Sequence, residues 1–174
     1  PEVDTLAASV PDANGAYFVP AFTGLGAPYW DMYARGTLVG LTRGVKREHI
    51  CRAVLEGICL QVKDVLNAMQ EDAWHPLTTL KVDGGASVSN IMMQIQSDFL
   101  GVDVVRPENV ETTALGAAFL AGLAVGIWKD KDEVLQYWKA NKRFSPQKGD
   151  AFRERTYTEW LKAVERSSGW AEAE

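Results

Sequence analysis

Short apolar runs and longer periodic stretches follow one another along the chain, which predicts alternating strands and helices. Three apolar runs, at 17–22, 36–41 and 77–82, are bounded by glycine, proline or asparagine and predict strands. From about Arg47 the apolar period changes to three and four residues, which predicts a long amphipathic helix ended by His75-Pro76. The apolar stripe of this helix is expected to consist of Ile50, Val54, Ile58, Val62, Val65, Leu66 and Met69.

The second half of the chain continues the alternation, whereas segment 1–16 is polar and turn-rich. A helix is predicted to begin at Ser87 or Ser89, both favoured N-cap residues, and to end at Leu100. The other predicted elements are one strand and three helices, at 102–105, 112–125, 130–138 and 148–170. The closing helix is expected to bury Phe152, Thr156, Trp160, Leu161 and Val164. Strands alternating with helices, with no long linker or repeat, predict one α/β domain with a substantially parallel sheet.

Composition and charge narrow the class of protein. The chain has 174 residues, of which 47% are hydrophobic and 24% charged, as in a typical globular domain. A formal net charge of −5 argues against a nucleic-acid-binding protein, which would show a clustered basic face. The short basic run 139–143 is interpreted as a solvated helix end. No apolar stretch approaches the roughly 20 residues of a membrane span.

The two cysteines do not predict a disulfide. On one helix Cys51 and Cys59 would lie about 12 Å apart along the axis, which is too far for an S–S bond. We expect reduced side chains that pack as small hydrophobic residues.

The strongest candidate for chemistry is the turn between a predicted strand and a predicted helix, Asp83-Gly-Gly-Ala86. Two glycines allow a sharp turn and let another molecule approach the backbone, because no Cβ stands in the way. The helix that follows directs unpaired N–H groups and the positive end of its dipole to the same place. This arrangement favours a phosphate or a ribose edge, although a purely structural turn is an equal alternative.

Two further segments have unusual composition. The helix at 112–125 presents a nearly smooth face of small residues, which predicts tight core packing or, alternatively, a moving domain interface. These small residues are Gly116, Ala117, Ala118, Ala121 and Gly122. In the loop 23–31, Tyr29 and Trp30 are predicted to be buried anchors, with stacking on a ligand as the alternative.

Residue chemistry supports neither a catalytic nor a metal-binding assignment. The two histidines, His49 and His75, are isolated, so neither a histidine-based triad nor a zinc site is supported. The chain also has no P-loop motif and no Gly-x-Gly-x-x-Gly motif.

Read together, these segments resemble the carbohydrate kinase family that includes glycerol, xylulose and gluconate kinases. Segments 36–41 and 49–56 resemble the second signature of that family. Other stretches resemble its glycerol kinases more closely, namely 19–31, 34–36, 41–44, 82–86, 94–98, 113–118 and 144–146. The resemblance extends over about residues 16–170.

This resemblance implies a fold and a set of ligands. The expected fold is an α/β, actin-like and ribonuclease-H-like ATPase domain, with a mixed sheet flanked by helices and without its N-terminal strands. Residues 1–174 would form most of the C-terminal, nucleotide-binding domain of a two-domain kinase. Gly84, Gly85 and Ala86 are implied to contact the nucleotide. So is Ser89, which stands where glycerol kinases often have an asparagine near the adenine.

The implied activity is that of an ATP:glycerol 3-phosphotransferase, with this chain as one wall of the nucleotide site. Its ligands would be ATP or ADP, with Mg²⁺ bound to the nucleotide, and glycerol, held in the half that precedes this segment. The resemblance places the catalytic aspartate and the phosphate-facing turn in that preceding part, so the chain alone is expected to be inactive. The whole enzyme is expected to be a cytoplasmic homo-oligomer. Another sugar kinase of the family and a non-catalytic actin-like interaction module are the alternatives.

Overall fold

The computed structural model of the protein describes residues 2–73 and 76–172. Its helices are α1 (Glu2–Ala8), α2 (Arg47–Ala73), α3 (Asn90–Leu100), α4 (Thr112–Ala124), α5 (Lys131–Leu135) and α6 (Asp150–Ser167). Its strands are β1 (Tyr17–Val19), β2 (Thr37–Val39), β3 (Thr79–Lys81), β4 (Asp103–Pro107) and β5 (Ala140–Phe144). A short 3-10 helix occupies Gly85–Val88. The predicted helix end at His75-Pro76 falls partly outside the described residues, because His75 is not among them.

The strands form two small sheets. β1 and β2 pair antiparallel, and β4 lies between β3, which is parallel to it, and β5, which is antiparallel. The sheet is therefore mixed, as the family resemblance implies, and the substantially parallel sheet predicted from the alternation of elements is wrong. The β4–β5 ladder shifts register between Arg106 and Pro107, since Arg106 pairs with Lys142 and Pro107 with Ala140. This leaves Asn141 as an extra residue in a β-bulge.

The core lies where α2, α3 and α6 meet. Cys59 and Leu60 of α2 are fully buried, and Ile95 and Phe99 of α3 pack into the same cluster as Trp160 of α6. Both cysteines are free thiols, as predicted. None of the helices within the described residues is long and apolar enough to cross a membrane.

Gly57 allows β1 to approach α2 very closely. A Cβ atom at this position would lie 2.0 Å from the Phe18 carbonyl oxygen, so only glycine fits there. A glycine inside a helix is unfavourable by about 1 kcal/mol relative to alanine, and the close contact explains its presence. Next to Gly57, Glu56 Oε1 lies 2.7 Å from Arg52 Nε, four residues earlier on α2.

Two predictions about elements are wrong at positions where the local sequence is polar. Residues 2–8 form α1, whose first turn carries Glu2 and Asp4 and which buries Ala7. Acidic side chains are favourable near a helix N-terminus. Most of the basic run 139–143 belongs to β5, not to a helix end, and α5 ends earlier than predicted. β5 is an edge strand because, among the described residues, it pairs only with β4, and its first four residues are exposed, so it shows no alternating apolar pattern.

Two predictions about burial are also wrong. Several members of the predicted α2 stripe are more than a third exposed, namely Ile50, Val65 and Met69. Instead α2 contacts α1, β1 and α3, so it buries residues on more than one side, and these include Glu56 and Asp64. In α6 Leu161 is 42% exposed, although its neighbour Trp160 is fully buried as predicted.

The tight packing expected for α4 is not found within the described residues. Gly122 alone among its small residues is buried, against the ring of Trp128, and Leu120 is 69% exposed. α4 packs chiefly on the segment that follows it, through an aromatic cluster in which the Phe119 and Trp128 ring centroids lie 5.2 Å apart. Tyr137 joins this cluster.

Candidate functional site

Residues Gly84–Ser89, here called the glycine turn, connect β3 to α3. Gly84 has a φ of +76°, a conformation that side-chain-bearing residues rarely adopt. A Cβ atom on Gly84 or Gly85 would meet no atom within 4 Å, so this side of the turn opens onto free space. The turn lies beyond the carboxyl end of β3, at the edge of an α/β sheet where ligands commonly bind. The predicted backbone approach is therefore sterically open.

Hydrogen bonds fix the shape of the glycine turn from within. The Gly84 carbonyl accepts bonds from the Ser87 N–H at 3.1 Å and from the Ser87 hydroxyl at 2.7 Å. The Ser89 N–H donates to the Ala86 carbonyl at 3.2 Å. Because Ser87 is buried, its hydroxyl serves the turn and not the solvent.

Ser89, one of the two predicted N-cap residues, is the N-cap of α3. Its side-chain oxygen accepts a hydrogen bond from the Met92 N–H at 3.2 Å. A serine hydroxyl that accepts one bond still has its proton to donate to another group. Ser87, the other predicted N-cap, lies within the 3-10 helix. Ser89 thus has both a structural role and the chemistry to contact a ligand.

The glycine turn also adjoins the start of α4. The Gly84 N–H donates to the Val110 carbonyl at 2.8 Å, and the Thr112 hydroxyl donates to the Asp83 carboxylate. Two of the segments singled out in the sequence, the glycine turn and the small-residue helix, therefore meet at one place. The N-termini of two helices, α3 and α4, thus adjoin the turn.

The aromatic loop 23–31 has only one of its two predicted anchors. Tyr29 is half-buried, but Trp30 is 80% exposed and has a φ of +52°. The loop is joined to the end of α6 through the Gly169 N–H, which donates to Asp31 Oδ2 at 2.8 Å. That bond is the main reason why the pKa of Asp31 is lowered.

Sequence reasoning missed a buried carboxylate beneath this loop. Asp64 is 2% exposed and accepts hydrogen bonds from the Tyr157 hydroxyl and from Trp160 Nε1, both at 2.8 Å. Burial raises the pKa of Asp64, although both hydrogen bonds oppose the shift. Burial, together with the nearby Asp64 carboxylate, also raises the pKa of Tyr29. Asp64 lies outside the predicted apolar stripe of α2, and no local signal in the sequence marked it as buried.

No cluster suited to a metal ion is found among the described residues. Within 2–73 and 76–172 there is no group of three histidine, cysteine, aspartate or glutamate side chains that could hold a metal. His49 accepts a hydrogen bond at Nδ1 from the Lys46 N–H, at 3.0 Å, as part of the helix start.

Comparison with known proteins gives consistent matches over most of the chain. Residues 2–125 match the family described as the FGGY family of carbohydrate kinases, C-terminal domain. Over 172 residues the chain is 60% identical to a glycerol kinase of Thermoanaerobacter sp. (strain X514). This alignment covers 99% of this chain and 35% of that protein. It is 57% identical to glycerol kinase 2 of Thermotoga maritima, over 97% of this chain and 34% of that protein. The chain thus spans about a third of the length of the curated relatives it matches.

Solved structures show the same relationship. Plasmodium falciparum glycerol kinase with ADP superimposes with a TM-score of 0.84 at 36% identity, covering 95% of this chain and 33% of that one. A xylulose kinase from Lactobacillus acidophilus gives 0.76 at 28% identity, covering 95% and 33%. These similarities confirm the predicted fold, an actin-like ATPase domain with a mixed sheet flanked by helices.

Proposed function

Because this chain belongs to the FGGY family of carbohydrate kinases, we propose that it is the C-terminal part of an ATP:glycerol 3-phosphotransferase. In this proposal residues 1–174 make up most of the nucleotide-binding domain of a two-domain enzyme. The chain forms one wall of the nucleotide site, and glycerol is held in the part of the protein that precedes it.

The observation that carries the proposal is the open backbone of the glycine turn. Gly84 and Gly85 have free space where a Cβ atom would stand, and the N-terminus of α3 lies beside them. A nucleotide can therefore approach the main chain directly, and its negative charge is favourable at a helix N-terminus. The similar Plasmodium falciparum enzyme was solved with ADP, which supports a nucleotide as the ligand.

We assign the nucleotide contacts to Gly84, Gly85, Ala86 and Ser89. The first three supply main-chain surface without bulk, and Ser89 supplies a hydroxyl that can donate a hydrogen bond to the adenosine. Mg²⁺, bound to the nucleotide phosphates, would neutralise charge as the γ-phosphoryl group passes from ATP to a glycerol hydroxyl. The residues of this chain bind and orient the nucleotide, and none of them is assigned to the proton transfer. Alone, the chain is expected to bind without turnover.

Glycerol is the substrate that similarity favours. Curated relatives named glycerol kinase are 55–60% identical to this chain, whereas the superimposed xylulose kinase is 28% identical. A cytoplasmic location and assembly of the whole enzyme into a homo-oligomer belong to the same proposal.

A titration of the chain with Mg-ADP, followed by amide chemical shifts, tests the nucleotide site. Shifts centred on Gly84, Gly85 and Ser89 are expected. Gly85→Ala is the decisive variant, because the added methyl group meets no protein atom within 4 Å and so can obstruct only a ligand. Gly26→Ala is the matched control, since its methyl group also meets no atom within 4 Å but lies in the loop 23–31.

We expect Gly85→Ala to fold like the parent chain and to lose the shifts, and Gly26→Ala to retain them. Binding by Gly85→Ala that equals that of the parent would contradict the proposed contact. Shifts confined to residues far from the glycine turn would contradict the assignment of the site.

A further inference from the structure

Arg106, on the central strand β4, contacts the glycine turn through two of its carbonyl groups. Its NH1 atom donates to the Ser87 carbonyl at 2.9 Å and to the Val88 carbonyl at 3.0 Å. These carbonyls end the 3-10 helix and have no helical partner of their own, and cationic side chains are favourable at such ends. Hydrogen bonds that involve a charged group are stronger than neutral ones. One side chain therefore holds two consecutive peptide groups of the turn.

The β-bulge in β5 orients this guanidinium. Asn141 is the extra residue of the bulge, and its Oδ1 accepts bonds from Arg106 NH2 at 3.0 Å and Nε at 3.3 Å. Bulges often redirect one side chain out of a regular ladder, which is the effect here. The guanidinium carbon also lies 5.7 Å from the centre of the Phe144 ring. Arg106 is thus held by β5 while it holds the turn.

Hydrogen bonds hold most of the carbonyl groups of the turn. The carbonyls of Gly84, Ala86, Ser87 and Val88 are all engaged by protein donors, two of them by Arg106. In a helical turn the N–H groups point in the direction opposite to the carbonyls. The N–H groups of Gly84, Ser87 and Ser89 donate within the protein. Holding the carbonyls in place therefore also fixes the direction of the remaining N–H groups of the turn.

We propose that Arg106 is a positioning residue for the nucleotide, acting through the Ser87 and Val88 carbonyls that it holds, with Asn141 as its orienting partner. This inference rests on the proposed function, because it takes the glycine turn as the nucleotide site. Arg106 touches no reacting group and takes no part in proton transfer. Its effect is to keep the turn in the conformation that accepts the ligand.

The test compares variants of Arg106 and Asn141 in the same 174-residue chain. Arg106→Gln removes the charge and the fork of donors, Arg106→Lys keeps the charge but not the fork, and Asn141→Ala removes the orienting acceptor. Arg143→Gln is the matched control. Arg143 is a cation on β5, the strand that also carries Asn141, but its side chain pairs with Asp103 and not with the turn. Mg-ADP affinity is measured by amide shifts at a temperature at which circular dichroism shows every variant fully folded.

We expect roughly a ten-fold loss of affinity in Arg106→Gln, a smaller loss in Arg106→Lys and Asn141→Ala, and none in Arg143→Gln. Amide exchange at Ser87, Val88 and Ser89 should rise in the first three variants without nucleotide. A residue with a merely structural role would lower the melting temperature and leave the affinity of the folded protein unchanged.

Chemical rescue gives an independent readout. In Arg106→Ala, low millimolar guanidinium should restore part of the Mg-ADP affinity, and sodium at the same concentration should not. If the parent chain binds Mg-ADP and Arg106→Gln binds it equally well, the positioning role is wrong and the proposed function stands. If the parent chain shows no shifts at the glycine turn, the proposed nucleotide site fails and this inference fails with it. Should Arg106→Gln not fold, the Arg106→Lys and Asn141→Ala affinities decide the question.

Discussion

Asp64 offers the sharpest test of what stabilises the core, because its buried carboxylate is shared by α2 and α6. Replacing it by alanine leaves the Tyr157 hydroxyl and Trp160 Nε1 without the acceptor they use at 2.8 Å. An orphaned buried donor costs about 1–3 kcal/mol, so two such donors cost about 2–6 kcal/mol. Removing a carboxylate that burial disfavours offsets part of that cost. We therefore expect Asp64→Ala to lower the free energy of unfolding by about 2–4 kcal/mol.

Two tyrosine variants show whether the hydrogen bonds or the packing cause the loss. Tyr157→Phe removes a donor from Asp64 and should cost about 1–2 kcal/mol. The Tyr29 hydroxyl is buried too, but within the described residues it has no hydrogen-bond partner of standard geometry. Tyr29→Phe should therefore change the free energy of unfolding by less than about 0.5 kcal/mol.

Urea denaturation at neutral pH, followed by far-UV circular dichroism, measures all three variants. Globular proteins typically have free energies of unfolding of about 5–15 kcal/mol, so the expected losses in stability are large enough to measure. Equal losses in Tyr157→Phe and Tyr29→Phe would refute the reasoning, because the two side chains lose the same atom and differ in the bond it makes. An Asp64→Ala variant as stable as the parent would refute it as well.

The pH dependence of stability follows from the same site. Burial raises the pKa of Asp64 in the folded protein above its ordinary value of 3.8. The folded state therefore binds this proton more tightly than the unfolded chain does. The resulting contribution to stability is fully present below the unfolded pKa and is lost as the pH rises through the folded pKa. As the pH rises through that window, we expect the free energy of unfolding of the parent chain to fall relative to that of Asp64→Asn. A difference that does not change with pH would contradict the raised pKa of Asp64.

Substitutions at four further positions have predicted outcomes. Gly57→Ala should lower the free energy of unfolding by at least about 2 kcal/mol in urea melts, because its methyl group would lie 2.0 Å from the Phe18 carbonyl oxygen. Gly116→Ala, in the open part of α4, should raise it by about 0.5–1 kcal/mol through helix propensity alone. Ser89→Ala should cost about 1 kcal/mol as a lost N-cap, with Ser89→Asp largely preserving stability. Leu120→Lys should reduce binding of a hydrophobic dye and self-association in light scattering, because Leu120 is 69% exposed on α4.

The order of elements was largely predictable because it depends on local periodicity. The long helix α2 and the small-residue helix α4 lie within a residue or two of their predicted bounds, apart from the end of α2 near His75. β5 was missed because its ladder partner is β4, more than thirty residues earlier, while its own side chains are mostly exposed. A strand defined by its partner gives no alternating pattern of its own.

Burial on α2 was not predictable from its own sequence. A single apolar stripe is expected when a helix packs on one side, but α2 is contacted by α1, β1 and α3. Asp64 is tolerated inside because donors on α6, more than ninety residues later, reach it. The sequence of α2 contains no information about those donors.

The candidate site likewise combines features set by the local sequence with contacts from residues that are distant in the sequence. Its open side was visible in the sequence, because two adjacent glycines and an N-cap serine lie within six residues of one another. The hydrogen bonds that hold the turn could not be predicted from the sequence, because Arg106 follows Ser87 by 19 residues and Asn141 follows Arg106 by 35. A glycine-rich turn is flexible by composition, and without distant donors it would lose entropy on binding a ligand. In the proposed role of Arg106, its hydrogen bonds order the turn during folding, so that less conformational entropy would be lost when a nucleotide binds.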